Sequence, residues 1–193
     1  MRYLLATFIA LASLQASSTV TYFIEDGKNV SGFESSDREL AEMALAAWSR
    51  ESGGKLKLVA AAQESAAMVR VRWISPADGL YGEMQRTSIN GKPVAIVNVS
   101  TSVAGLGEPI ASMALKDRLL RDSIVYLTCV HETGHALGLQ HTRNFEDIMY
   151  SFAYGGNIGE YFSRYRRNIK SRTDIPKFSG LSSGDIAVLK SLF

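Results

Sequence analysis

The stretch His131-Glu132-Thr133-Gly134-His135-Ala136-Leu137-Gly138-Leu139-Gln140-His141 contains all three histidines of the chain. On a helix, His131 and His135 stand one turn apart on the same face, so two imidazoles can reach a single Zn²⁺. Glu132 follows the first of them and is close enough to take a proton from water activated by the metal. Gly138 is placed to end the helix in a left-handed turn, which glycine enters without a Cβ penalty. The chain can then double back and present His141 as a third ligand. Three protein ligands leave a fourth position for water, the arrangement of a catalytic site rather than a closed structural one. The candidate metal ligands are therefore His131, His135 and His141, with Glu132 as the candidate general base.

Working outward, apolar residues from Leu119 to Val130 extend this segment back into a long helix from about residue 117 to 137. Earlier in the chain, residues 19–24, 55–59 and 68–74 read as strands, and Asn90-Gly91 marks a turn between two more at 81–86 and 94–99. Ser36 and Glu39 have the spacing of a capping box before a second helix carrying Leu40, Met43, Ala44, Ala47 and Trp48. Ser182 and Asp185 repeat that pattern before a short C-terminal helix. Residues 151–180 read as irregular, although Tyr161, Phe162, Tyr165 and Ile169 fall at helical spacing. The fold class expected is α+β: a twisted mixed sheet, an active-site helix, a second long helix and a C-terminal helix.

Composition limits the function classes. With 193 residues and 46% hydrophobic content, the chain can build one ordinary domain core. Its 21 basic and 19 acidic side chains leave a formal charge of +2, too little for a dedicated nucleic-acid binder. One cysteine excludes an internal disulfide framework and any multi-cysteine zinc site. A basic start, an apolar run and small residues near Ala16 give residues 1–18 the form of a secretory signal peptide, leaving 19–193 as the domain. The run is short for a membrane span, so no stable membrane insertion is expected after cleavage, and the location expected is extracellular or periplasmic. Cys129, two residues before His131, should point away from the metal as a buried structural residue.

The histidine string resembles the zinc signature of the metzincins, and Gly134 with Leu137-Gly138-Leu139 resembles its matrixin form. Asp147-Ile148-Met149-Tyr150 resembles the methionine turn of that family, with Met149 eight residues past His141. The order of strands and helices, and the end of the chain from Leu181 to Ile186, are also similar to matrixins. Two positions depart from the family pattern: Thr142 stands where serine is usual, and Ser151 where proline is usual. The histidines that hold a structural zinc in matrixins have no counterpart here, and calcium is possible but unassigned. There is also no room for a propeptide with a latency cysteine between Ser18 and the first strand.

The resemblance implies a metzincin-like catalytic domain: a zinc-dependent endopeptidase with one catalytic Zn²⁺, acting on protein or peptide substrates. Met149 would form an apolar floor under the metal, and substrate would lie antiparallel to an exposed strand, for which 81–86 is the candidate. The alternative is a catalytically weak or inactive metzincin-fold module that binds protein. A basic-patch binder built on Arg164, Arg166, Arg167, Lys170, Arg172 and Lys177 is a further rival, against a plain solvated helix face. The aromatic segment from 151 to 180 has two readings, a substrate-pocket wall with a basic rim or a cover for the core. Oligomeric state is open, with a monomer favoured.

Overall fold

A computed structural model describes residues 17–75 and 81–193. Of the expected signal peptide, residues 1–16 lie outside the described residues, and Ser18 already opens the first strand. The strands are β1 (Ser18–Ile24), β2 (Leu56–Ala60), β3 (Val69–Ile74), β4 (Gly82–Ile89) and β5 (Lys92–Ser100). They form one mixed sheet in the order β2-β1-β3-β5-β4. All neighbours are parallel except β4, which pairs antiparallel with β5 and forms an edge. The turn between them is Asn90-Gly91, with φ values of 52° and 76°, the left-handed pair that a two-residue hairpin turn needs.

Alternation sets which face of the sheet is covered. Val69, Val71 and Trp73 of β3 stand in register with Ala95, Val97 and Val99 of β5, and all six are buried. Helices α1 (Asp37–Glu51) and α3 (Arg118–Leu137) pack against the sheet and each other. Leu40, Ala44, Leu45 and Trp48 form the buried stripe of α1, and the Trp48 indole N–H donates to the Val130 carbonyl of α3 at 3.0 Å. Arg70 and Arg72 on the opposite face of β3 are paired with Glu64. Cys129 is buried in α3, and burial raises its thiol well above the ordinary range.

Three expectations are corrected. The Ser36–Glu39 capping box does not form: Ser36 is helical and its side chain makes no cap bond. Asp37 takes the role instead, accepting from the Glu34 N–H at 2.8 Å while pairing with the buried Arg121 of α3. Glu39 turns toward Arg172. Residues 151–180 are also more ordered than irregular, containing α4 (Ile158–Arg166) and a 3₁₀ stretch at Arg172–Lys177. A helix not anticipated from the sequence, α2 (Ile110–Lys116), precedes α3. Asp117 separates the two by accepting from the Leu119 and Leu120 N–H groups as the N-cap of α3. The C-terminal capping box does form, at the start of α5 (Ser183–Leu192).

Arg121 also donates to the carbonyls of Gly32 and Thr101, so one guanidinium ties α3 to the loop before α1 and to the end of β5. Removing its buried counter-charge should be costly. Asp37→Ala is expected to destabilise the fold by about 3–5 kcal/mol in urea unfolding, and Asp37→Leu with Arg121→Met should recover most of that loss. An Asp37→Ala change of less than about 1 kcal/mol would contradict this role for the pair.

Candidate metal centre

The last two turns of α3 carry His131, Glu132 and His135. The helix stops at Gly138, where φ is 111°, and the Leu139 N–H closes back onto the Gly134 carbonyl at 3.0 Å. That reversal brings His141 over the helix. Its Nε2 lies 3.2 Å from Nε2 of His131 and 3.0 Å from Nε2 of His135. Tetrahedral ligands at about 2.0–2.1 Å from zinc would be separated by roughly 3.3 Å, so the donor set is close to the required size.

Proton placement points the same way. The Nδ1 atoms of His131 and His135 face the carbonyls of Ile148 at 2.6 Å and Leu139 at 2.9 Å. A carbonyl can only accept, so each Nδ1 carries the proton and each Nε2 presents a lone pair. Burial lowers the His131 pKa to about 4, with the neighbouring histidines adding to the shift. Ring nitrogens that converge in this way fit a shared cation. Among the described residues, these three form the group of potential ligands whose donor atoms come together.

Glu132 is buried, and its pKa is raised to about 8, chiefly by desolvation and further by Glu83, against the pull of the Met84 N–H. What packs against it comes from fifty residues earlier in the chain. Gly82, the first residue of β4, lies so close that a Cβ there would stand 2.7 Å from Glu132 Oε1 and from Thr128 Cγ2. Only glycine lets the edge strand approach the carboxylate in this way. Gly134 is similar, since a Cβ there would meet Met149 Sδ at 2.5 Å and Trp48 Cζ2 at 2.8 Å.

Met149 is fully buried beneath the histidine helix, in a turn held from the far end of the chain. Asp185 at the start of α5 accepts from the Ile148 N–H at 2.8 Å and the Met149 N–H at 3.4 Å, as well as from its own cap residue, Ser182. The Ile148 carbonyl then accepts from His131 and from the Tyr161 hydroxyl at 2.8 Å. Neither Asp185 nor Tyr161 was marked as a site residue by spacing, because each contributes through a single peptide group distant in sequence. Both positions that depart from the matrixin pattern sit where the two loops meet. Thr142 N–H donates to the Met149 carbonyl at 2.9 Å, and Ser151 N–H donates to the Thr142 carbonyl at 3.2 Å. A proline at 151 would have no such proton to give.

A cleft of about 590 Å³ passes over the histidines. Glu83 and Met84 of β4 line one side, and Tyr150, Phe152, Ile158 and Phe162 line the other. The aromatic segment is divided between the wall of this cleft and the core. Tyr161 and Phe162 touch the cleft, while Tyr165 and Ile169 are buried, Tyr165 stacking on Tyr126 at 5.4 Å. The basic rim is corrected: Arg166 pairs with Asp117, Arg167 with Glu160, Arg172 with Asp122 and Lys177 with Asp174. Arg164 bonds the Phe145 carbonyl and lies over the Tyr161 ring. Five of the six cations of that run are thus paired or bonded within the fold.

A family model described as Matrixin (Peptidase_M10) matches residues 113–160. The match takes in α3, the three histidines, the methionine turn and the start of α4, and it supports a zinc metallopeptidase. No curated protein matches the sequence. The α+β architecture with its five-stranded sheet is consistent with a matrixin-type domain.

Two outcomes are expected. Asp185→Ala should weaken zinc binding about 10–100-fold in a chelator competition, because the peptide that orients His131 loses its anchor. Unchanged affinity would show that the turn holds without it. In the metal-free protein, Glu132 binds its proton more tightly when folded than when unfolded, so it contributes stability at low pH that is lost as pH rises from about 4.5 to 8. Urea melts at pH 5, 6.5 and 8 should show the wild type losing roughly 2–4 kcal/mol relative to Glu132→Gln across that range. A constant difference would mean that Glu132 is not desolvated.

Proposed function

We propose that the protein is a secreted zinc-dependent endopeptidase of the metzincin type, hydrolysing peptide bonds in protein or peptide substrates. The observation that carries this reading is the convergence of three imidazole nitrogens beside a buried carboxylate, in a cleft with a strand edge that is unpaired among the described residues along one side. A closed structural site would have neither the cleft nor the neighbouring base.

His131, His135 and His141 would hold the ion, and the carbonyls of Ile148 and Leu139 keep the first two rings in the ligating tautomer. Bound there, Zn²⁺ supplies Lewis acidity, which lowers the pKa of water and polarises a substrate carbonyl. Glu132 takes the proton from the attacking water and gives it to the leaving amine nitrogen as the C–N bond breaks. Its desolvated position suits both halves of that exchange, because the carboxylate holds a proton more readily than one in water.

Substrate backbone is expected to pair antiparallel along the outer edge of β4, the strand anticipated at 81–86. Arg86 secures that strand to the helix by donating to the His135 carbonyl at 2.9 Å. Leu127, Tyr150, Ile158 and Phe162 form an apolar lining that favours an apolar side chain just after the cut. A binding-only module has no need of a buried carboxylate next to the histidines, and no feature of the cleft favours that alternative.

The test separates chemistry from metal binding. Glu132→Gln should retain zinc at near wild-type stoichiometry while casein or peptide hydrolysis falls by at least about 10²–10⁴-fold. His141→Ala should lose zinc as well as activity. Full hydrolysis by Glu132→Gln would overturn the assignment.

A further inference from the structure

Besides Glu132, Glu83 of β4 is the carboxylate that lines the cleft over the histidines, and no lysine or arginine stands in that lining. Glu83 accepts from the Gln85 side-chain amide at 2.7 Å and makes no ion pair among the described residues. The cations around it are engaged elsewhere. Arg70 and Arg72 both pair with Glu64, Arg86 donates to the His135 carbonyl, and Arg143 lies over the Tyr154 ring.

Alternation decides where the Glu83 carboxylate points. A Cβ on Gly82 would meet Glu132 and Thr128, and the Arg86 side chain reaches α3 at His135, so the even-numbered residues of this part of β4 face the helix. Glu83 and Gln85 stand on the other face of the strand. On that face Glu83 continues a row formed by Arg72 of β3 and Asn98 of β5, which are partners in register across the sheet. The row stops at Glu83, because β4 is the edge. The Tyr81 carbonyl accepts from the Ser100 N–H at 2.9 Å, so by the same alternation the peptide groups of Glu83 face β5. A strand added along the outer edge would therefore meet Glu83 in a non-hydrogen-bonded pair. That is the closer kind, with Cα atoms about 4.5 Å apart.

A substrate lying antiparallel along this edge alternates as well. The side chain just after the cut enters the wall where Tyr81, Leu127 and Thr128 gather around Gly82, so its residue stands opposite Gly82. The residue just before the cut then stands opposite Glu83, with its side chain on the same face as the carboxylate. We propose that Glu83 is a specificity-determining residue, selecting a lysine or arginine immediately before the cut as its cross-strand partner. This rests on the endopeptidase reading. A cation there extends the row Arg72, Asn98, Glu83 with the charge it lacks, whereas an acidic residue directly opposite Glu83 is repelled.

The test uses three internally quenched peptides that differ only in the residue before the cut, which is lysine, glutamine or glutamate. At low salt the wild type should cleave the lysine peptide with a kcat/KM about threefold above that of the glutamine peptide, the size of one cross-strand ion pair. The glutamate peptide should be slowest. Glu83→Gln should bring the three to a common value, and Glu83→Lys should reverse their order. Each readout is a ratio within one protein, so a general effect of a variant on turnover cancels. Equal rates in the wild type, or a lysine preference that persists in Glu83→Gln, would overturn this role and leave the endopeptidase reading intact. If no peptide is cleaved, the endopeptidase reading fails, and fluorescence anisotropy of the same peptides, labelled, decides Glu83 separately. The same order of affinities, reversed in Glu83→Lys, supports the role, and equal or absent binding overturns it.

Discussion

The site depends on the backbone of one residue, Ile148. Its N–H is held by the buried carboxylate of Asp185, and its carbonyl receives the Nδ1 proton of His131 and the hydroxyl of Tyr161. Four elements meet there: the histidine helix, the methionine turn, α4 and the C-terminal helix. A histidine ligand needs its distal nitrogen fixed before its proximal lone pair has a direction, and this peptide provides that fixation. The capping box at Ser182 and Asp185 therefore serves more than its own helix. The carboxylate that caps α5 also helps to place His131.

Close approach is the second constraint. Gly134 lets Met149 and Trp48 press against the histidine helix from below, and Gly82 lets the edge strand press against Glu132 from the side. The first sets the apolar floor under the ligands. The second excludes water from one side of the carboxylate, which is why its proton affinity is raised. A side chain at Gly134 would displace the apolar floor, and one at Gly82 would displace the Glu132 carboxylate.

Charge is arranged to keep the surface cations occupied. Arg164, Arg166 and Arg172 of the segment after the methionine turn meet a carbonyl or carboxylate from other parts of the fold, Arg167 pairs with Glu160 of its own segment, and Arg121 joins three segments through its pair with Asp37 and its bonds to Gly32 and Thr101. The cleft over the histidines is left with an aromatic and aliphatic wall, suited to apolar side chains.

The histidine segment determined by itself the convergent histidine trio, the neighbouring carboxylate and the glycine that ends the helix, because all depend on spacing within about one helical turn and one reversal. Strand alternation likewise gave β3, β5 and the hairpin at Asn90-Gly91, since period and turn chemistry are local properties. The C-terminal capping box was legible for the same reason. The box expected at Ser36 was not formed, because Asp37 gains more from the buried Arg121 than Ser36 and Glu39 gain from each other. Likewise, the basic run after residue 163 looks like a binding patch until its partners at Asp117, Asp122 and Glu160 are brought beside it. Gly82, Asp185 and Tyr161 became parts of the site only in three dimensions. Each acts across dozens of residues or through a single atom on another element, and neither spacing nor composition records which distant backbone will lie within 3 Å.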